Sequence, residues 1–169
     1  MPATTDGRPV RTPPLLAEAQ QRLLETRARA HAHCIACGAP AGDAPRLHFL
    51  ALDDGSVEAQ VAGRGSYEGY AGMLHGGVIA TLLDAAMTNC LFAQGRCAVT
   101  ADLHLRYRHP VASAQPCVVR AWIERASPPL FVLRGELWQA ERLRVTAAAK
   151  FMEQPAPPGD GSGEAAARR

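Results

Sequence analysis

The chain has 169 residues, which is the length of one domain with a single hydrophobic core. Hydrophobic residues make up 47% and charged residues 20%, a composition typical of globular proteins that excludes a disordered or fibrous chain. The formal net charge of +2, from 18 basic and 16 acidic residues, is too balanced to indicate nucleic-acid binding.

We predict no targeting or membrane signal. Residues 1–11 lack the apolar run of a signal peptide, and we expect no stretch apolar enough to span a bilayer. Five cysteines, an odd number without an export signal, argue against a disulfide framework. We therefore expect a cytoplasmic protein with no membrane partner, no nucleic-acid partner and no cofactor.

Both ends have the composition of disordered segments. Residues 1–13 are rich in Pro, Thr, Gly and Arg, and residues 153–169 show no periodic apolar pattern. Between them we predict one domain over residues 14–152. It begins with a helix at about residues 15–31, where prolines precede apolar residues at helical spacing.

The loop after this helix contains four potential metal ligands within seven residues: His31, His33, Cys34 and Cys37. Structural zinc sites usually combine two separated pairs of ligands, and the sequence has no second Cys-x-x-Cys motif. A metal site, a redox-active cysteine pair and a tucked loop with unreactive thiols all remain open. The sequence favours the last of these, so we predict no metal ligands.

Two short strands are predicted next, at residues 47–51 and 57–61, around the turn Asp53-Asp54-Gly55-Ser56. A glycine-rich segment over residues 63–77 leads into the strongest helix of the chain, at about residues 76–93.

Alternating patterns predict strands over the rest of the chain. One predicted strand face carries Val99, Ala101, Leu103, Leu105 and Tyr107. Three further strands follow at residues 117–124, 130–137 and 143–151. Strands grouped after one long helix, rather than alternating with helices, predict an α+β fold with the helix packed on an antiparallel sheet.

The central helix carries a single carboxylate, Asp84. At 100° per residue, its apolar stripe consists of Ile79, Leu82, Leu83, Ala86 and Cys90. The opposite face carries Gly77, Thr81, Asp84 and Thr88 rather than the charges of a solvent-facing helix. We therefore expect burial on both sides, which places Asp84 in an apolar setting where an ionised group is costly. Asp84 is then either a structural hydrogen-bonding residue or a chemical one.

Glycines at the start of this helix favour the chemical role. The backbone N–H groups of Gly76 and Gly77 lie where intrahelical partners are missing and the helix dipole favours negative charge. Gly77 precedes Asp84 by seven residues and lies on the same helix face. Donors for an oxyanion, together with a carboxylate that can attack or activate water, form the arrangement of an acyl-transfer site.

The segment YEGYAGMLHGGVIATLLDAAM, residues 67–87, resembles the core motif of hotdog-fold acyl-CoA thioesterases of the phenylacetate-pathway (PaaI) type. The likeness is specific at the HGG-x6-D pattern of His75 and Asp84. Patterning extends it over about residues 34–152, including Cys34-x-x-Cys37-Gly38. The resemblance implies a curved antiparallel sheet wrapped around the helix. It also implies a homodimer or a tetramer of two dimers, with active sites between subunits.

The resemblance also implies roles for the site residues. Asp84 would be the general base or the nucleophile, the backbone of Gly76 and Gly77 would polarise the thioester carbonyl, and His75 would help to place it. Thr100 occupies the position of a serine or threonine that assists the water in some relatives. Simple alternation, however, points Thr100 away from the helix, so a bulge or a partner subunit is required.

Further residues are expected to contact the substrate. Gly69 stands where another branch of the family has an asparagine that binds the carbonyl side. Met73 and Met87 are candidates for the acyl pocket, and Arg64, Arg106 and Arg108 are candidates for the phosphates of coenzyme A.

The implied activity is hydrolysis of an acyl-CoA thioester to a free acid and coenzyme A. Two alternatives stay open: a hotdog hydratase or dehydratase, and a non-catalytic acyl-CoA-binding or sensing module in which Asp84 is structural. No Gly-x-Ser-x-Gly motif is present, which disfavours a Ser-His-Asp hydrolase.

Overall fold

The computed structural model describes residues 14–38 and 47–155. The predicted terminal segment 1–13 and most of the predicted tail, residues 156–169, lie outside the described residues. The described elements are, in chain order, α1 (Pro14–Ala30), β1 (Leu50–Ala51), β2 (Val57–Val61), a 3₁₀ helix (Gly65–Tyr67), α2 (Gly76–Ala93), β3 (Ala98–Tyr107), β4 (Cys117–Ser127), β5 (Leu130–Gln139) and β6 (Arg142–Glu153).

The six strands form one antiparallel sheet in the order β1-β2-β4-β5-β6-β3. Among the described strands, β3 pairs only with β6 and is therefore an edge strand of the sheet. The α+β prediction, with a long helix and an antiparallel sheet, is confirmed.

The strands predicted at residues 117–124, 130–137 and 143–151 are longer in the structure, and two further predicted boundaries are wrong. The strand predicted at residues 47–51 shrinks to β1, because only Leu50 and Ala51 pair with β2, although Leu47 and Phe49 are buried as a strand pattern requires. The disordered tail was predicted to begin at residue 153, yet Glu153 continues β6 and pairs with Ala98 on β3.

Helix α2 is the centre of the core. It packs against β2, β3, β4 and β5 on one side, and α1 packs against it as well. Every residue of the predicted apolar stripe is buried: Ile79, Leu82, Leu83, Ala86 and Cys90. Removal of this stripe from water is the main favourable contribution to the fold, since burial of a leucine side chain is worth about 2 kcal/mol.

The second face of α2 is more open than predicted. Gly77 is exposed, and Thr81 and Asp84 are half-buried, so a single chain does not enclose this face. Met87, predicted to line an acyl pocket, is fully buried at 0% exposure in the core of the single chain.

The length and composition of α2 would allow it to span a bilayer, contrary to the prediction that no such stretch exists. The structure buries 67% of this helix within the protein. A central core helix has this character because it is apolar around most of its circumference.

We expect the substitution Leu83→Ala to lower the free energy of unfolding by about 2–5 kcal/mol, because it leaves a cavity under α2. Leu83 is fully buried, and its Cδ2 lies 3.3 Å from the position that a Cβ would take at Gly135 on β5. Urea unfolding at a fixed protein concentration measures the loss. Leu24→Ala, at a position 44% exposed on α1, is the control; a Leu83→Ala loss no larger than that control contradicts this account.

Candidate active site

A hydrogen bond joins the central helix to the edge strand. The Thr100 hydroxyl on β3 donates to Oδ1 of Asp84 on α2 at 2.6 Å. Such a short O–H···O distance is typical of a bond to a carboxylate, which is stronger than a bond between neutral groups. The bond orients the carboxylate and leaves Oδ2 available to a water molecule or a substrate.

A β-bulge brings Thr100 to this position. The register between β3 and β6 shifts between Thr100 and Asp102, which makes Ala101 an extra residue in the strand. Thr100 pairs with buried Phe151, and opposed residues in an antiparallel sheet point to the same face. Thr100 therefore faces the helix. The bulge interrupts the alternation of side chains along β3, so Thr100 reaches Asp84 of its own chain without a partner subunit.

The same bulge corrects the predicted strand face. Thr100, rather than Val99, lies on the helix side together with Leu103 and Leu105, which pack against the core. Val99 is instead 54% exposed. One inserted residue reverses the alternation because side chains point to opposite faces with a period of two.

The start of α2 is held by two side chains. His75 caps the helix, and its Nδ1 accepts the N–H of Gly77 at 2.9 Å. The Tyr107 hydroxyl donates to the carbonyl of Gly76 at 2.8 Å. The peptide group between Gly76 and Gly77 is therefore fixed at both its oxygen and its nitrogen.

The cap changes which donors remain for an oxyanion. The N–H of Gly77, predicted to polarise a carbonyl, is used by His75. Because Nδ1 of His75 accepts this bond, the neutral ring carries its hydrogen on Nε2. Two donors near the start of α2 therefore remain for a ligand. They are the His75 Nε2–H and the N–H of Gly76, which has no acceptor within the helix.

These groups open onto a cleft of about 420 Å³. Five of the predicted site residues line it: Gly69, Met73, His75, Gly76 and Arg108. Tyr107 also lines the cleft and was not predicted as a site residue, although its place after Leu105 in the alternating strand already put it on the helix side. A largely apolar cleft with a few hydrogen-bond donors suits an acyl group with one polar centre.

The structure does not bring every predicted residue to this cleft. Arg64 is exposed and immediately precedes the 3₁₀ helix, outside the residues that line the cleft. Arg106 lies in a groove with Trp122 and Arg134 on the opposite face of the sheet. Within the described residues, Arg108 is the one predicted arginine that lines the cleft.

Asp84 and Thr100 also lie outside this cleft. Asp84 lies eight positions after Gly76, and a rise of 1.5 Å per residue places the two about 12 Å apart along the helix. A nucleophile must approach to about 3 Å of the same carbonyl group whose oxygen the donors bind. The carboxylate and the helix start of one chain are therefore too far apart along the helix to act on the same carbonyl group.

Comparisons with known proteins bear on the family and on the fold. Residues 71–146 match the family described as the Thioesterase superfamily. A solved structure of a thioesterase superfamily protein is 27% identical to this chain, with a TM-score of 0.68, and the match covers 72% of this chain and 63% of that protein. The chain thus spans slightly less than two thirds of that relative's length.

Two solved structures with lower identity share the fold. The E. coli PaaI protein, from the phenylacetic acid degradation operon, is 16% identical with a TM-score of 0.71, over 84% of this chain and 97% of PaaI. A hypothetical thioesterase from Streptococcus pneumoniae TIGR4, solved with coenzyme A, is 18% identical with a TM-score of 0.61, over 65% of this chain and 90% of that one. The resemblance drawn from the HGG-x6-D motif is confirmed for the fold: the chain has the hotdog fold of PaaI, and residues 71–146 match the thioesterase-superfamily model.

Proposed function

We propose that this protein hydrolyses an acyl-CoA thioester to a carboxylic acid and coenzyme A, with Asp84 as the catalytic carboxylate. The hydrogen bond from Thr100 to Asp84 Oδ1 carries this proposal. Within residues 14–38 and 47–155, no lysine or arginine forms an ion pair with Asp84. A half-buried carboxylate that is oriented through one oxygen and not neutralised by a cation is suited to accept a proton or to attack.

In the general-base route, Asp84 Oδ2 takes a proton from water while the water oxygen bonds to the thioester carbon. The carbonyl oxygen becomes an oxyanion, which the His75 Nε2–H and the Gly76 N–H stabilise. The carbon–sulfur bond then breaks, and the proton returns from Asp84 to the coenzyme A sulfur. In the nucleophilic route, Asp84 itself bonds to the carbon, thiolate leaves, and water hydrolyses the resulting anhydride. Neither route requires a cofactor.

We infer that each site combines two copies of the chain, since Asp84 and the start of α2 are about 12 Å apart within one copy. Strand β3 has an unpaired edge, and its apolar side chains are open: Val99 is 54% and Tyr107 52% exposed. A second copy paired along β3 would cover this edge. It would also place a second α2 beside the partly open Asp84 face. A homodimer is the minimal assembly, and a tetramer of two dimers preserves the same sites.

The proposed ligand follows from the cleft and from its relatives. The cleft combines apolar Met73 with cationic Arg108, which suits an acyl chain next to a phosphate-bearing carrier. The Streptococcus pneumoniae structure with coenzyme A supports that carrier. Arg64 and Arg106 remain proposed phosphate contacts in the assembled protein. A Cβ at position 69 would lie 3.1 Å from His75 Cδ2, so glycine at this position avoids a close contact with the His75 ring. A cytoplasmic location is part of the proposal.

We expect Asp84→Asn to lower kcat for thiol release by about 100-fold or more, because it removes the base while keeping the shape of the side chain. Short, medium, long and aryl acyl-CoAs are assayed with wild type and variant.

We expect Thr100→Val to lower kcat by about 10-fold, the equivalent of one hydrogen bond. Thr146→Val on β6, opposite Arg106, is the matched control. An Asp84→Asn protein with wild-type rates contradicts the role of Asp84, and tight binding without turnover by wild type favours the sensing module.

The two-copy site predicts complementation between inactive variants. Asp84→Asn and His75→Ala each damage a different half of the site, so a mixed dimer contains one doubly damaged site and one intact site. Refolding an equal mixture should restore about a quarter of wild-type activity, because half the dimers are mixed. Separately refolded variants, combined without exchange, are the control. Recovery that stays at the sum of the two variants contradicts a site shared between copies.

A further inference from the structure

A second cluster of reactive side chains lies in the loop that follows α1. One ligand atom each from His31, Cys34 and Cys37 lies within 4.8 Å of the other two, and Cys37 Sγ is 3.7 Å from His31 Nδ1. Donor atoms around a tetrahedral zinc ion are about 3.6–3.8 Å apart, given its bond lengths to sulfur and nitrogen. The three ligand atoms are therefore spaced nearly as they would be around one zinc ion.

The loop backbone is shaped around the first sulfur. The N–H of Ala36 points to Cys34 Sγ at 3.4 Å, and the N–H of Gly38 donates to the Cys34 carbonyl at 2.8 Å. A Cβ on Gly38 would lie 2.5 Å from the Cys34 nitrogen, so only glycine allows this tight turn. The turn therefore holds the Cys34 sulfur in a defined position next to the backbone of Ala36.

Helix α2 contributes a buried amide to the second sulfur. Asn89 is fully buried, and its Nδ2 donates to Cys37 Sγ at 3.5 Å and to the Ala85 carbonyl at 2.8 Å. Among the described residues, the Oδ1 atom of the same amide is buried and has no hydrogen-bond partner. Buried polar atoms are almost always paired, so the Asn89 amide next to Cys37 has an acceptor left over for a further group.

We propose that His31, Cys34 and Cys37 bind one zinc ion, with water as the fourth ligand. Two thiolates and an imidazole suit zinc among the common divalent ions, and the two thiol protons leave as the ion enters. The sequence disfavoured a metal because it lacked a second ligand pair; the proposed site uses His31 and leaves the exposed His33 outside it.

The site links the end of α1 to the central helix. The His31 ring meets Phe92 of α2 edge-on at 5.3 Å between ring centres, and Cys37 meets Asn89 on the same helix. The ion would therefore fasten α1 and its loop to α2. Its role is structural and separate from the proposed hydrolysis.

The test measures zinc bound by the full-length protein. Purified wild type, after gel filtration, should contain about one zinc per chain by elemental analysis. Cys34→Ser and His31→Gln should each contain less than about a tenth of that, because two ligands alone retain zinc poorly. Cys97→Ser, a half-buried cysteine outside the cluster, is the matched control and should keep the metal. Wild type without zinc, or variants that retain it, overturns the proposal.

A second measurement does not depend on the folding of a variant. Metal-free wild type, titrated with Co²⁺, should develop the visible bands of tetrahedral cobalt and a near-ultraviolet sulfur-to-cobalt band, and Zn²⁺ should abolish both and raise the Tm. Six-coordinate cobalt without sulfur bands overturns the site. A Cys34–Cys37 disulfide in the protein as isolated, detected by thiol counting and mass spectrometry, overturns it in favour of a redox pair. None of these readouts requires thioesterase activity.

Discussion

The packing of α2 against the sheet is the constraint on which the rest of the structure depends. Its apolar stripe, centred on Leu82 and Leu83, has no exposed surface, so the rotation of the helix about its axis is fixed. With that rotation set, Asp84 lies toward β3 and Asn89 toward the Cys34–Cys37 loop. The same helix therefore positions the proposed catalytic carboxylate and supports the proposed zinc site through a single packing interaction.

The polar groups of the proposed site are positioned by irregularities in an otherwise regular fold. The bulge at Ala101 brings a hydroxyl to Asp84, and the His75 cap selects which N–H groups stay free at the start of α2. Each of these departs from ideal strand or helix geometry by one residue or one hydrogen bond. Functional sites commonly contain such departures because regular elements alone leave few polar groups available.

The sequence was sufficient for the fold because the fold depends on local patterns. Helical periodicity located α2, and alternation located β3 to β6 within a few residues. The sequence required a bulge or a partner subunit at Thr100 but could not choose between them, since a register shift is decided by pairing with β6. It also named the potential metal ligands but could not choose His31 over His33, because that choice depends on how α1 ends against Phe92 on a distant helix.

The bulge also determines how this site can change during evolution. Substitution of Ala101 by another residue leaves the count of residues in β3 unchanged, and Thr100 still faces Asp84. Deletion of one residue there restores strict alternation and turns the Thr100 hydroxyl to the other face, although no site residue has been altered. The number of residues in β3 thus matters for the proposed site independently of their identity. Among descendants of this chain, an insertion or a deletion in this strand can remove the hydrogen bond to Asp84 without changing either residue.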